Sequence, residues 1–305
     1  MPIISLAATV LLTIAGQLGY LFWWLDLWAN FRFHYFFAAL LLALVFLSAR
    51  CWKLACIGLV VAFTNAPMVE QPSAGAAIAE HVDIARPPIK IVSFNVLKSN
   101  QRYSTVRKFL RQEAADIVIL QEVNAAWKSE LKPLSAEFPY RFIRASESFY
   151  GLALFAKIPW ESVTYLPFAE TGGAPIIRAR FRVAGRPFTF FGTKTFPPTK
   201  ADWSSHRDQQ LYKLGELARE ISGPLILAGD LNATSWSHGF TAFLRGSGQQ
   251  RWDGGGHGAS WPAILGWAGI RIDHIMVNSD LRMLRQSIGP NIGSDHRPVI
   301  AVVGL

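Results

Sequence analysis

Residues 291–303 read NIGSDHRPVIAVV, and this stretch places three ionisable side chains directly before an apolar, β-branched run. Asp295, His296 and Arg297 precede a proline, and the run after it has the composition of a buried strand. A carboxylate beside an imidazole at the start of a core strand is costly to bury unless both groups are paired or bound to a ligand. The stretch therefore predicts a final strand that begins at a polar site.

Polar residues also follow the ends of other apolar runs in this part of the chain. The residues in such positions are Asn95 after IVSF, Glu122 after IVILQ, Asp230 and Asn232 after LILAG, and Asp273 between IRI and IMV. Strand ends of a sandwich can converge on one cleft, and buried carboxylates need a cation or another partner. The pattern favours a metal site that takes a polyanionic substrate, although GDLN alone is also typical of an ordinary Asx turn.

The same runs predict the fold class. Strands are expected at residues 89–97, 116–123, 151–157, 176–183, 187–195, 224–232, 271–278 and 298–303. Helices are expected at 104–115, with Ser104 as the N-cap, at about 206–221 and at about 237–246. Many strands with few, spaced helices are typical of an α/β or α+β sandwich of mixed sheets.

The donor atoms limit the choice of metal. Both cysteines, Cys51 and Cys56, lie outside this region, so thiolate ligands are excluded there. Carboxylate and amide oxygens favour a hard ion, Mg²⁺ or Mn²⁺, and disfavour zinc.

The first 69 residues form a second, far more apolar region, with Asp26, Arg32, Arg50 and Lys53 as their only charged side chains. Residues 3–25 carry no charge over 23 positions, which is about 34 Å as a helix and enough to cross a bilayer. Apolar runs at 35–48 and 54–69 follow. We expect a transmembrane region of three helices, and the alternatives are a cleaved signal peptide or buried core helices.

The few charges predict an orientation. Arg50 and Lys53 favour a cytoplasmic loop between the second and third spans. Three spans would place the rest of the chain on the outer side, in the periplasm of a bacterium, whereas two spans would reverse this. The expected location is therefore the inner or plasma membrane, multi-pass, with an extracytoplasmic domain at residues 89–305 after a linker at 70–88.

The charge of the domain indicates the class of partner. Residues 86–305 carry 27 Lys and Arg against 17 Asp and Glu. Such an excess attracts phosphates or an anionic membrane face, and it is also compatible with an ordinary basic surface. The sequence predicts nucleic acid or phospholipid as substrate, with the membrane as a second partner, and gives no basis for a protein partner.

These motifs together resemble the endonuclease/exonuclease/phosphatase superfamily, which has the DNase I fold. The resemblance rests on Asn95 in SFNV, Glu122 in LQEV, GDLN at 229–232, Asp273 in RIDHIMV and GSDHRPV at 293–299. It covers residues 89–304 in order, and the apolar region in front also resembles a bacterial, membrane-anchored subgroup. The resemblance implies a four-layer sandwich of two mixed β-sheets flanked by helices.

The resemblance also implies a role for each residue. Glu122 would be the principal ligand of Mg²⁺ or Mn²⁺, with Asp295 nearby. His296 would pair with Asp273, and Asp230 would orient or deprotonate the attacking water. Asn95 and Asn232 would position the phosphate and the water. Which of His296 and Asp230 acts as the base stays open.

Position 194 departs from the family pattern. FFGTKTFPP carries Lys194 where many relatives have histidine. A lysine still binds phosphate as a point charge, but at its ordinary pKa it donates a proton poorly to a leaving alkoxide. We expect retained phosphate binding with moderated catalysis.

Three functions follow as expectations. The first is a membrane-anchored, divalent-metal-dependent phosphodiesterase, most simply a nuclease. The second is a phosphodiesterase or phosphatase of phospholipid or sphingomyelin type at the bilayer surface. The third is a non-catalytic anchored module that binds a phosphorylated ligand, which the lysine at position 194 favours and the intact acidic residues and His296 oppose.

Overall fold

The N-terminal region is helical in the computed structural model, which describes residues 1–66, 87–167, 175–248, 252–253 and 258–305. It contains four helices: α1 Pro2–Gln17, α2 Trp23–Ala29, α3 Arg32–Ser48 and α4 Trp52–Asn65. The helix expected over residues 3–25 is divided, because α1 ends at Gln17 and α2 begins at Trp23, and the number of membrane spans stays a prediction. The expected linker at 70–88 falls almost entirely outside the described residues.

Two glycines explain the break in the first predicted helix. The chain turns after α1, and α2 folds back against it. A Cβ atom at Gly16 would lie 2.8 Å from the backbone nitrogen of Ala29, and one at Gly19 would lie 2.8 Å from the Cα of Asp26. Hydropathy detects the lack of charge over this stretch but not the close backbone approach that only glycine permits.

No helix among the described residues has by itself the length and hydropathy needed to cross a bilayer. Helices α2 and α3, bent by 60° at their junction, meet that requirement as a pair, on length and composition.

The rest of the chain builds two six-stranded sheets. Their strands are β1 Ile89–Asn95, β2 Ile117–Gln121, β3 Tyr140–Arg144, β4 Leu152–Ala156, β5 Trp160–Leu166, β6 Ile176–Val183, β7 Arg186–Lys194, β8 Leu225–Asp230, β9 Trp252–Asp253, β10 Asp273–Asn278, β11 Arg282–Ile288 and β12 Val299–Gly304. The first sheet has the order β11-β12-β1-β2-β4-β3 and the second β5-β6-β7-β8-β10-β9. Each sheet combines parallel and antiparallel pairs, as predicted.

Helices cover the outer faces of the sheets. They are α5 Tyr103–Glu113, α6 Ala125–Glu130, α7 Ala201–Arg219 and α8 His238–Gly246, with two short 3-10 segments at Lys132–Ser135 and Ala263–Ala268. Helices α5 and α6 pack on the first sheet, and α7 and α8 pack on the second. Two mixed sheets flanked by helices therefore form the fold of this region.

The inner faces of the two sheets form the central core. In β1 and β2, Ile91 and Ile119 point into this core, whereas Val92 and Val118 point outward toward α5. Because both faces of these strands are buried, they are continuous apolar runs without alternation. A Cβ atom at Gly192 would lie 2.5 Å from Ile119 Cδ1, so this glycine permits the close packing of the sheets.

Several local expectations differ from the structure. Helix α5 begins at Tyr103 with Arg102 as its N-cap, and no side chain caps it, so Ser104 is not the cap. Strands β3, β5 and β11 and helix α6 were not predicted. Charged and half-buried residues in these three strands obscure the alternation of apolar and polar side chains that would predict a strand.

Candidate active site

The strand order brings the predicted site residues to one edge of the sandwich. Asn95 ends β1, and Glu122 directly follows its parallel neighbour β2. In the second sheet, Lys194 ends β7 opposite Asp230, which ends β8. The carboxyl ends of parallel strands meet at the same edge of a sheet, so both sheets deliver polar groups to the same region.

Antiparallel neighbours complete the set. Asp273 opens β10 and lies opposite Asp230 in the register of β8 and β10. His296 precedes β12, whose first residue pairs with Ser93 of β1, two residues before Asn95. Six of the predicted site residues are each at most 6 % exposed, whereas Asn232 and Asp295 are more exposed; the six are Asn95, Glu122, Lys194, Asp230, Asp273 and His296.

Two of the predicted residues have a left-handed backbone. The φ of Glu122 is 60° and that of Asn232 is 47°. Few residues other than glycine adopt this region, and such conformations are concentrated at functional sites. The chain turns sharply just after β2 and β8, and this turn aims the two side chains at the common edge.

Asn95 is the centre of the polar network. Its Nδ2 donates to Glu122 Oε1 at 3.0 Å and to Asp230 Oδ2 at 3.0 Å, and it lies 3.2 Å from His296 Nε2. Its Oδ1 accepts the backbone N–H of Leu97 at 3.1 Å, which fixes the amide plane. Asn95 therefore joins the carboxylates of the two sheets.

Lys194 bridges the same two carboxylates. Its Nζ lies 2.7 Å from Asp230 Oδ2 and 3.0 Å from Glu122 Oε1. Burial disfavours the ammonium ion, but the two carboxylates outweigh this and raise the pKa of Lys194 above its ordinary value. The side chain is therefore held as an ammonium ion near neutral pH, which makes it a poor proton donor.

His296 and Asp273 form a buried pair, with His296 Nδ1 lying 2.8 Å from Asp273 Oδ2. Burial disfavours the imidazolium, yet Asp273 and Asp230 outweigh it and raise the pKa of His296 to about 9. Asp230 Oδ2 lies 3.8 Å from His296 Nε2. Burial opposes ionisation of Asp230 as well, but Lys194 and His296 hold its pKa below the ordinary value. The site thus holds an ionised Asp230 beside an imidazolium.

Asn232 and Asp295 lie at the margin of the cluster. The backbone N–H of Asn232 donates to Asp230 Oδ1 at 3.0 Å, and its Nδ2 donates to Thr195 O at 3.0 Å. Asp295 is exposed, with Oδ1 4.0 Å from His296 Nε2 and Oδ2 accepting from Trp261 Nε1 at 3.2 Å. Both residues therefore flank the buried groups from the solvent side.

Sequence reasoning missed two hydroxyl groups that support the candidate site residues Asn95, Asp273 and His296. Ser294 Oγ donates to Asn95 O at 2.7 Å and accepts the backbone N–H of His296 at 3.0 Å. Ser260 Oγ accepts the backbone N–H of Asp273 at 3.1 Å. Ser294 lies inside the GSDHRPV motif, which was a usable signal, whereas Ser260 has no such marker.

An ion pair between distant parts of the chain contacts the loop that carries Asn232. Arg207 of α7 is fully buried, and its Nη2 lies 2.7 Å from Asp26 Oδ2 of α2. Its Nη1 donates to Asn232 O at 3.2 Å. Asp26 Oδ1 also accepts the backbone N–H of His238 at 2.6 Å. The N-terminal helices are therefore joined to the loop that carries Asn232.

The chemistry of the donors fits a hard divalent cation. Three buried carboxylates, those of Glu122, Asp230 and Asp273, face two cations, Lys194 and His296, so negative charge is in excess. Asp273 Oδ1 is buried without a hydrogen-bond partner among the described residues. The oxygen donors Asp230 and Asp273 lie within 4.8 Å of each other, and the imidazolium of His296 beside them is not counted as a donor. Oxygen donors with unneutralised charge are what Mg²⁺ and Mn²⁺ prefer.

Replacement of Lys194 by methionine tests this charge balance. We expect Lys194→Met to bind Mn²⁺ at least about tenfold more tightly, about 1.4 kcal/mol, because an internal cation no longer competes for Glu122 and Asp230. Calorimetric titration of the purified protein with Mn²⁺ measures the change. Lys108→Met, on the exposed face of α5, is the control and should leave the affinity unaltered. Equal or weaker Mn²⁺ binding by Lys194→Met would show that the ammonium does not oppose the ion.

Comparisons with known proteins agree with this architecture. The sequence model of the Endonuclease/Exonuclease/phosphatase family matches residues 92–296. No curated protein matches the chain.

Three solved structures illustrate the similarity of fold. The endonuclease/exonuclease/phosphatase from Bacteroides vulgatus has 19% identity and a TM-score of 0.61, over 72% of this chain and 100% of that one. D. rerio TDP2 complexed with single strand DNA product has 15% identity and a TM-score of 0.60, over 72% and 99%. Sphingomyelinase C from Streptomyces griseocarneus has 18% identity and a TM-score of 0.54, over 71% and 99%.

Proposed function

This chain belongs to the endonuclease/exonuclease/phosphatase family, and we propose that it is a membrane-anchored phosphodiesterase that depends on a divalent metal. Members of the family are phosphoester hydrolases. One observation carries the proposal: Asn95 joins Glu122 and Asp230 beside the His296–Asp273 pair in a buried cluster. A phosphate-binding module without catalysis would not need an ionised carboxylate next to an oriented imidazolium.

In the proposed mechanism, Glu122 would hold Mg²⁺ or Mn²⁺, with Asp295 at the rim as a further oxygen donor. When bound, the ion would act as a Lewis acid that neutralises charge on the phosphate oxygens. Lys194, held 3.0 Å from Glu122, adds a fixed positive charge for the same phosphate. Asn95 and Asn232 orient the phosphate and the attacking water.

Asp230 and His296 each carry out one of the two proton transfers. The water oxygen forms a bond to phosphorus while the bond from phosphorus to one ester oxygen breaks. Asp230 accepts the proton of the water, because its pKa is held below the ordinary value and it is ionised at neutral pH. His296, charged and oriented by Asp273, donates a proton to the leaving oxygen. The products are a phosphomonoester and an alcohol.

Two substrate classes are candidates within this proposal. A nucleic acid is the simplest, and D. rerio TDP2, whose structure holds a single strand DNA product, has a similar fold. A phospholipid is the second, with a similar fold in a sphingomyelinase C. The apolar N-terminal helices favour the second candidate, because they would hold the active site beside a bilayer, on its extracytoplasmic side in the proposed orientation.

Turnover by the purified full chain in detergent tests the proposal. We expect cleavage of at least one of plasmid DNA, RNA and phospholipid vesicles with Mg²⁺ or Mn²⁺, and none with EDTA. His296→Ala should abolish that cleavage while the chain keeps its fold by circular dichroism. Bound metal and a native fold without turnover on any of these substrates or on a soluble diester would contradict the proposal and favour the binding module.

A further inference from the structure

Exposed apolar surface in the described part of residues 87–305 is concentrated in one loop, residues 262–268, which we call the apolar loop. Within it, Ile264 is 88 % exposed, Trp267 is 82 % exposed and Leu265 is 53 % exposed. The other exposed large apolar side chains of these described residues are Tyr212 and Leu284, each 45 % exposed. Three such side chains within four positions are a signature of an interaction surface, since scattered single ones need no explanation.

The base of the apolar loop is bonded to the catalytic cluster. The backbone N–H of Ala263 donates to Asp295 O at 2.7 Å, and Trp261 Nε1 donates to Asp295 Oδ2 at 3.2 Å. Just before the loop, Ser260 O accepts the backbone N–H of Arg297 at 2.7 Å. Whatever the loop binds is therefore held at the mouth of the site, next to Asp295 and His296.

The end of the apolar loop contacts the N-terminal helices. His34, in the first turn of α3, places its Nε2 2.7 Å from Ala268 O. Residues 1–63 contribute nineteen of the exposed large apolar side chains of the described chain, including Phe22 at 58 % and Trp24 at 50 %. The apolar loop, the mouth of the active site and the apolar helices thus lie next to one another.

We propose that the apolar loop inserts into a lipid bilayer and that the substrate is a phosphodiester in the headgroup of a membrane phospholipid. This inference rests on the phosphodiesterase function proposed above and narrows its substrate class. Three observations point to a bilayer as the partner: contact with the apolar N-terminal helices, the tryptophan at the loop tip, and the positive excess of residues 86–305. Tryptophan is typical of the membrane interface, and basic domains are attracted to anionic lipid surfaces.

A nucleic acid fits the loop less well. Ile264 and Leu265 offer neither charge for a phosphate nor a hydrogen bond for a base. Stacking of a base on Trp267 alone would leave both aliphatic side chains in contact with water, which is unfavourable. A bilayer buries all three.

Insertion is measured directly with a fluorophore at the tip of the apolar loop. In a Cys51→Ser/Cys56→Ser background, an environment-sensitive dye on Ile264→Cys should shift its emission to the blue when the full chain is reconstituted in vesicles of phosphatidylcholine and phosphatidylglycerol. The same dye on Leu284→Cys should keep the emission of an aqueous site. A dye at Ile264→Cys that stays in an aqueous environment would overturn the insertion.

Turnover separates the substrate classes. Leu265→Ser and Leu284→Ser form a matched pair, because the two leucines have similar exposure, 53 % and 45 %. We expect the ratio of vesicle turnover to turnover of a soluble diester, bis(p-nitrophenyl) phosphate, to fall about tenfold for Leu265→Ser, since a lost insertion of about 1.4 kcal/mol weakens binding by that factor. Leu284→Ser should keep the wild-type ratio. The double variant Ile264→Ser/Trp267→Ser should lower the ratio further than Leu265→Ser does.

The failures are distinguishable. Wild-type cleavage of DNA and of the soluble diester, without cleavage of vesicles, would overturn the lipid inference and leave the phosphodiesterase standing as a nuclease. An equal ratio for Leu265→Ser and Leu284→Ser would overturn the role of the apolar loop. No cleavage of any substrate by metal-loaded protein would remove the proposed function and this inference with it.

Discussion

Asp230→Asn should lower kcat by about 10²–10⁴-fold, the range that general acid–base catalysis supplies, with a much smaller change in KM. Asparagine keeps the shape of the side chain, so the hydrogen bond from the backbone of Asn232 remains, but it accepts no proton from water. It also removes the negative charge that faces Lys194 at 2.7 Å and His296 at 3.8 Å. Steady-state kinetics on whichever substrate the wild type cleaves measure the loss.

Asp202→Asn provides the matched control, because Asp202 is exposed in the first turn of α7. The same chemical change there should leave kcat unaltered. If Asp230→Asn kept more than about a tenth of wild-type kcat, Asp230 would not be the proton acceptor. His296 would then be the candidate base, despite the high pKa that Asp273 and Asp230 impose on it.

Disruption of the Asp26–Arg207 ion pair should give the largest loss of stability. Both side chains are at most 3 % exposed; removing Arg207 leaves Asp26 without its buried cation, and removing Asp26 leaves Arg207 with only Asp208, whose side chain is 37 % exposed. We expect Asp26→Ala or Arg207→Ala to lower the free energy of unfolding by about 3–5 kcal/mol, measured by denaturant titration in detergent. The double variant Asp26→Leu/Arg207→Met should lose less than the sum, because no charge is then left buried.

An exposed ion pair serves as the comparison. Arg182 is paired with Glu161 on the outer strands of the second sheet, and both side chains are more than a third exposed. Arg182→Ala should cost about 0–1 kcal/mol. A similar small cost for Arg207→Ala would mean that the N-terminal helices are not held to the domain by this pair.

The sequence indicated which polar residues meet at one edge of the sandwich, because this depends on local order along the chain, and their catalytic roles stay predictions. Each polar residue there follows a recognisable apolar run, and parallel strands must end together. Asn95, Glu122, Asp230 and His296 are therefore found by their position relative to strands. The bonding of Lys194 to both Glu122 and Asp230 was not predicted, because its sequence position indicates the strand but not the partners across two sheets.

The N-terminal region was predicted less well for physical reasons. Hydropathy measures the transfer of side chains from water and is insensitive to a turn made by small residues such as Gly19. The pairing of Asp26 with Arg207 joins positions 181 residues apart, and no periodicity relates them. The carboxylate of Asp26, alone in an otherwise uncharged stretch, was the only sign of this pairing in the sequence, and it was interpreted only as a charge between two membrane spans.

The position of Lys194 affects whether the chain can fold before a metal ion binds. Glu122 and Asp230 would repel each other in a growing core if nothing positive lay between them, and chains with such clusters often need their ion in order to fold. In this protein the positive charge between the two carboxylates is the ammonium group of Lys194, which lies at the end of strand β7. We therefore expect the chain to complete its fold without Mg²⁺ or Mn²⁺, so that binding of the proposed ion would be a later and separate step.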